Sequence, residues 1–255
     1  MLLRILIISF VLLHTTEAFS EERAEPLVHI GDTKKNVRKL YGKPERSGKY
    51  FDSYVSSGLV FTYSGKNEII AIEGTKMQSG AAYKGILSGV GLDEKLDVAE
   101  RIWGPRVLSE SDKSYFKPTG YLITVVFLEL MKVNDFRSNT IESIEVRRYD
   151  NSIVGVWETK SKTEFIKINE DDTALLCKFS KKLGVISSEG TISPNGMLTW
   201  GKWFSTKSTN KYTAPNIGGP NNIYLAENEI LLGWMTDLKT YHKPLSVPKE
   251  CPFGL

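Results

Sequence analysis

Histidine is scarce among the residues that could do chemistry in this chain. Of the three histidines, His14 lies in an apolar N-terminal run, which leaves His29 and His242 as possible catalytic bases. No G-x-S-x-G elbow or comparable nucleophile motif accompanies either one, so neither fits a Ser-His-Asp or Cys-His arrangement. We interpret both as structural or surface residues and predict that the protein is not an enzyme.

Metal and phosphate sites also lack their sequence motifs. The chain contains no C-x-x-C and no H-E-x-x-H, the spacings typical of zinc sites. The acidic run Glu170–Asp172 lacks the alternating carboxylates, central glycine and distal glutamate of a calcium loop, so it favours a hairpin turn. Gly218–Pro220 does not open a helix that could bind phosphate. The sequence predicts no metal and no cofactor.

The two cysteines, Cys177 and Cys251, lie in the last third of the chain. In an oxidising compartment such a pair usually forms a disulfide, here closing a loop of about 75 residues. Two unrelated buried thiols are the alternative. We predict the disulfide.

The N-terminus has the pattern of a secretory signal. Arg4 precedes the apolar run Ile5–Leu13, and Thr16–Ala18 offers small residues for signal peptidase. The run is well short of the ~20 residues of a membrane-spanning helix. We predict a cleaved signal peptide over residues 1–18, a periplasmic or secreted location and no stable membrane anchor.

Two short helices are predicted, each ended by glycine and proline. The first begins near Asp32 or Thr33, whose side chains can cap it, and the second begins near Asp93. Gly42 and Gly104 stand where a left-handed residue ends each helix. The apolar faces recur at helical spacing and comprise Val37, Leu40 and Tyr41 in the first helix, and Leu96, Ala99, Ile102 and Trp103 in the second.

A predicted strand pair follows each helix. Residues 59–63 and 69–72 flank a Ser-Gly-Lys-Asn turn, and residues 121–127 and 141–146 flank a polar loop. The motif I-G-D-T-x-x-x-V-x-x-x-Y-G-K-P at Ile30–Pro44 resembles the SmpA/OmlA (BamE-like) repeat, which occurs in tandem in beta-lactamase inhibitory protein and its relatives. That resemblance implies a bacterial envelope or secreted protein that binds another protein. The chain departs from BamE-type lipoproteins because it has no anchoring cysteine near the signal.

The region from Ile153 onward favours short strands without helical periodicity. Its G-x-W opening, which ends at Trp157, is similar to lipocalin-like barrels. That similarity implies a barrel with Trp157 across one end.

The predicted fold class is therefore α+β. Residues 27–150 form one domain of two helix-plus-hairpin repeats, over about 27–75 and 85–150. Residues 153–255 form a small antiparallel all-β barrel or sandwich, the lipocalin-like domain.

The leading functional hypothesis is an exported, non-catalytic module that binds another protein, such as an inhibitor or immunity-type protein. A net charge of +3 with dispersed lysines does not favour nucleic acid. Partner contacts are assigned to aromatic residues on or beside the predicted sheet, which are Tyr63, Tyr115, Phe116 and Tyr121. The alternative is a carrier of a small apolar ligand in the C-terminal barrel, lined by Trp200, Trp203 and Trp234. Barrel core is the plainer interpretation of these tryptophans.

Overall fold

Two large β-sheets contain most of the residues whose structure is described. This computed structural model describes residues 24–76, 80–110, 112–127, 140–212, 221–234 and 237–253. The predicted signal peptide of residues 1–18 lies outside these ranges and stays a prediction. Within the described ranges, no helix has the length and apolar character needed to cross a bilayer.

The first sheet has eight antiparallel strands and packs against two helices. The helices are α1 (Lys34–Tyr41) and α2 (Leu96–Trp103). The strands are β1 (Arg46–Ser47), β2 (Phe51–Tyr54), β3 (Leu59–Tyr63), β4 (Ile69–Thr75), β7 (Leu108–Ser109), β8 (Lys113–Phe116), β9 (Tyr121–Phe127) and β10 (Ile141–Arg148), while β5 (Ile86–Leu87) and β6 (Val90–Gly91) form a separate pair. The order β1-β2-β3-β4-β10-β9-β8-β7 places β4 and β10 at the centre.

Both helices lie where the sequence predicts them. The Thr33 side chain caps α1 by accepting a hydrogen bond from the Asn36 backbone amide. Gly42 and Gly104 end the helices with φ of 80° and 86°, which L side chains rarely adopt. Val37 and Ala99 pack from the helices into the core of the first sheet.

The second sheet closes into a barrel after a short 3₁₀ helix, Asn151–Ile153. Its strands are β11 (Gly155–Thr159), β12 (Glu164–Ile168), β13 (Thr173–Ser180), β14 (Gly184–Ile192), β15 (Met197–Ser205), β16 (Ser208–Tyr212), β17 (Asn221–Leu225), β18 (Glu229–Trp234) and β19 (Asp237–His242). The order is β14-β13-β12-β11-β19-β18-β17-β15-β16, and an additional β14–β15 pairing joins eight of these strands into a ring. The predicted C-terminal barrel is confirmed.

The predicted α+β class is wrong. Of the residues that the structure describes, 51% lie in strands and 10% in helices, so the fold is mostly β. The predicted helix-plus-hairpin repeats over 27–75 and 85–150 are not supported either. The helices have only two turns each, and four strands follow each of them in the eight-stranded sheet. The boundary between residues 27–150 and 153–255 stays a prediction.

The sheet and the barrel touch through β4, β10 and β17. Their contact has an apolar cluster that includes Tyr50, Ile70 and Ala71 from the first sheet and Tyr224 and Leu231 from the barrel. The barrel is therefore packed against the face of the sheet that is opposite the helices.

The predicted disulfide is confirmed: Cys177 on β13 is bonded to Cys251 near the C-terminus. The bond lies on the outside of the barrel, where Phe165 and Phe253 pack around it. The Lys167 ammonium donates to the Phe253 carbonyl at 2.7 Å. Together these contacts hold the C-terminal segment against β12 and β13.

Removing this disulfide should destabilise the protein strongly. The Cys251→Ser variant should lose about 4–5 kcal/mol of unfolding free energy, because the unfolded chain regains the entropy of an open loop. Urea denaturation measures this loss. Reduced wild-type protein is the matched control and should show a similar loss; equal stability of oxidised and reduced protein would contradict the prediction.

Candidate functional site

A cavity of about 340 Å³ opens at one end of the barrel, which we call the mouth. Its lining combines charged, polar and apolar side chains, namely Glu164, Leu176, Lys178, Trp200, Asn221, Leu232, Asp237, Leu238, Lys239 and Tyr241, together with Gly233. The residues come from six strands of the barrel. The mouth is therefore built by six of the eight strands of the closed ring.

Strand alternation explains how the charged groups reach the inside. Successive side chains of a strand point to opposite faces, so Glu164 shares the inner face of β12 with Ile166 and Ile168. On β13 the same alternation places Lys178 on the face of Leu176. The inner wall is thus polar at the mouth, and it is apolar at the next inward-facing residue along β12 and along β13.

Glu164 is the central group of the mouth and is only 6% exposed. One carboxylate oxygen accepts a hydrogen bond from the Tyr241 hydroxyl, and the other pairs with the Lys239 ammonium. The Lys178 ammonium lies 3.8 Å from that second oxygen. Two lysines and a tyrosine therefore surround one buried carboxylate.

The same contacts alter Tyr241. Burial, followed by the charge of Glu164 and the hydrogen bond to it, raises the pKa of the Tyr241 hydroxyl well above its usual value. Tyr241 therefore keeps its proton and acts as a hydrogen-bond donor at any physiological pH.

The floor of the mouth is apolar. Leu176 and Leu232 belong to the packed cluster that fills the barrel below it, and Trp200 packs against that cluster. Trp157 lies deeper, with its indole N–H donating to the Ile153 carbonyl at 2.7 Å. The Lys243 ammonium sits 3.8 Å from the centre of one Trp157 ring, a cation–π distance. The barrel is therefore filled below the mouth.

The histidines lie elsewhere. His242 Nδ1 is 3.5 Å from Glu229 Oε2, and Glu229 also accepts from the Gly65 amide at 2.7 Å. This contact joins a turn of the first sheet to the barrel. Within the described ranges, no group of three His, Cys, Asp or Glu residues is placed to hold a metal ion.

A larger groove of about 1010 Å³ lies beside the first sheet and is lined by Leu27, Tyr41 and Tyr83 among others. Its charged lining residues, such as Lys84 and Asp93, are exposed to solvent. The mouth is the better candidate because its charged centre is desolvated.

Three of the four aromatic residues assigned to a partner protein are buried. Tyr63 and Phe116 belong to the core of the first sheet, and Tyr63 donates to the Asp52 carboxylate at 3.3 Å. Tyr115 is 5% exposed and donates to Glu110. These three side chains are not available on the surface, whereas Tyr121 is 43% exposed. The protein partner itself stays a prediction.

The three tryptophans of the alternative hypothesis differ in position. Trp200 lines the mouth, and Trp203 is buried within the barrel cluster. Trp234 ends β18, and its side chain lies outside the described atoms. Of the three, Trp200 is therefore the one placed at the cavity.

The charged residues of the mouth, Glu164, Lys178, Asp237 and Lys239, were not predicted from the sequence. One signal was present: Glu164 is in alternation with the apolar Ile166 and Ile168, so it occupies an inward position. Its partners Lys239 and Tyr241 follow 75 and 77 residues later, and no local pattern links them.

Removing the Glu164 carboxyl should destabilise the barrel. In Glu164→Ala, the buried Tyr241 hydroxyl loses its acceptor, and we expect a loss of about 1–3 kcal/mol in unfolding free energy. Glu164→Gln should lose less because its amide oxygen still accepts from Tyr241. Urea denaturation compares the two variants. The more exposed Lys239→Ala is the control, expected below ~1 kcal/mol; a neutral Glu164→Ala would contradict the burial of this carboxylate.

Comparisons with known proteins add no further assignment. No protein-family model, curated protein or solved structure matches this chain. The resemblances to BamE-like repeats and to lipocalins therefore stay predictions.

Proposed function

We propose that the protein is a non-catalytic binding protein whose barrel mouth holds a small amphipathic molecule with a carboxylate head group. The observation that carries this proposal is the cluster of Glu164, Lys178, Lys239 and Tyr241 above an apolar floor. Such a combination of convergent polar groups and apolar lining is typical of ligand pockets.

The size of the cavity favours a small ligand. A volume of about 340 Å³ is near the lower end of the range for small-molecule pockets, roughly 300–1,000 Å³. The apolar cluster below Leu176 and Leu232 closes the barrel to a longer chain. A ligand would therefore place its apolar part against Trp200 and these two leucines.

The charges favour an anionic head group. Lys178 and Lys239 carry two positive charges beside the single negative charge of Glu164. Both Glu164 oxygens already have partners, whereas an ammonium has three donor hydrogens. Asp237 at the rim is exposed, and water and salt screen its charge as they partly screen those of Lys178 and Lys239, whose side chains are 41% and 49% exposed. A carboxylate can accept from both lysines without displacing the contacts of Glu164.

A matched series of ligands tests this proposal. Octanoate, octanol and octylamine share one chain length and differ in head group. Isothermal titration should show binding of octanoate, at least roughly tenfold weaker binding of octanol, and the weakest binding of octylamine, because a charge-assisted hydrogen bond contributes about 1.5–3 kcal/mol.

Substitutions of residues that line the mouth test whether the ligand binds there. Lys178→Gln and Lys239→Gln should each weaken octanoate binding by roughly tenfold, and Trp200→Ala should weaken all ligands by removing apolar contact. Lys202→Gln changes an exposed lysine on β15 outside the mouth and should leave the affinity unchanged. The proposal fails if none of the three ligands binds, or if the lysine variants bind octanoate like the wild type.

A further inference from the structure

Two glutamates face each other across the centre of the first sheet. Glu73 on β4 and Glu145 on β10 are directly opposite in the antiparallel register. Their strand neighbours Ile72 and Ile144 point into the core beneath the helices, so the two carboxyl groups lie on the other face, towards the barrel. Strand β17 of the barrel packs against β4 and β10.

In the described part of the chain, Arg147 is the cation that pairs with one of these carboxylates. The Arg147 guanidinium lies 3.8 Å from Glu145, and it also donates to the Asn195 carbonyl at 2.8 Å. Glu73 has a hydrogen bond from the Ser143 hydroxyl at 2.9 Å. When both glutamates are ionised, the contact therefore holds two negative charges and one positive charge, which is paired with Glu145.

Among the described residues, the strands on either side place uncharged side chains opposite the pair, and the Glu110 carboxylate lies beyond Arg147, where it accepts from the Asn195 side chain. Val60 on β3 is opposite Glu73, and Thr124 on β9 is opposite Glu145. From the barrel side, Tyr224 on β17 covers the group, and the Arg147 guanidinium lies 5.3 Å from its ring centre. Tyr224 is 2% exposed and shields the pair on that side, whereas both glutamates are partly buried and the Glu145 side chain remains 20% exposed.

This environment favours a protonated Glu73. Burial, followed by the charge of Glu145, raises the pKa of the Glu73 carboxyl from 4.5 to about 7, although the Ser143 hydrogen bond lowers it. If the barrel moved away, water would solvate the carboxyl and its pKa would return towards the ordinary value.

We propose that this carboxyl pair makes the contact between the eight-stranded sheet and the barrel sensitive to pH, the contact being strongest when Glu73 is protonated. The inference is independent of ligand binding at the mouth. It assigns to Glu73 the role of a sensor at the junction of the two sheets, with Arg147 compensating the charge of Glu145 alone.

The direction of the effect follows from proton linkage. Because the pKa is higher in the packed state, the contact is fully favoured below the ordinary pKa of 4.5, weakens as pH rises to about 7, and changes little above that value. Each pKa unit corresponds to a factor of ten, so we expect the unfolding equilibrium to shift by roughly 10- to 100-fold between pH 5 and pH 8.

The test compares the full-length wild type with Glu73→Gln, which is uncharged at every pH and can still accept from Ser143. Urea denaturation at pH 5 and pH 8 should give similar stability for the two proteins at pH 5 and a more stable variant at pH 8. Glu189→Gln, at an exposed position on the barrel, is the matched control and should keep the wild-type pH dependence. An unchanged pH dependence in Glu73→Gln would overturn the proposal.

Side-chain footprinting tests whether the pH effect occurs at the contact between the first sheet and the barrel. In wild-type protein, hydroxyl-radical labelling of Tyr224 should increase several-fold from pH 5 to pH 8 relative to Tyr241, which is buried inside the barrel. The increase should disappear in Glu73→Gln. Should that variant not fold, Glu145→Gln should reduce the pH dependence without abolishing it, because it removes the neighbouring charge and leaves the burial that is the larger cause of the raised Glu73 pKa. Labelling of Tyr224 that does not change with pH would overturn the proposal.

Discussion

The architecture of the second sheet depends on a short seam between its first and last strands. Strand β11 pairs with β19 through Glu158↔His242 and Thr159↔Tyr241, whereas the β13–β14 ladder pairs every residue of β13, from Thr173 to Ser180. Tyr241 reaches from this seam across β11 to Glu164 on β12. The polar cluster of the mouth therefore also stabilises one of the two shortest strand pairings of the barrel, the other being β15 with β17 through Met197↔Asn222 and Leu198↔Asn221.

This double role limits how the mouth can be built. The carboxylate of Glu164 must stay buried to hold the seam, and its partner Lys239 remains half exposed, so its donors can also face a ligand. Below them the apolar cluster needs a closed barrel to stay out of water. A similar combination of apolar and charged contacts occurs where β17 meets β4 and β10.

Local sequence patterns predict part of this structure. Glycine and proline signals locate both helices, and the G-x-W opening and the strand rhythm predict the barrel. The predicted α+β class is wrong because some strands cannot be recognised from their own sequence. The two-residue strands Arg46–Ser47 and Leu108–Ser109 have no strand pattern and gain their stability from neighbouring strands. Tyr63 and Phe116 were predicted as partner contacts but are buried in the core. Alternation along a strand distinguishes two faces of a sheet, but it does not tell which face other elements cover. The mouth depends on residues far apart in sequence, so its assembly could not be predicted.

The disulfide between Cys177 and Cys251 closes residues 177–251 into a covalent ring. Strands β14 to β19 lie inside a closed ring, while β11 and β12 enter the barrel from outside it. A protease that cuts the backbone anywhere within this ring opens the ring without separating two fragments. Most of the strands that form the mouth therefore stay tethered to one another after a single cleavage.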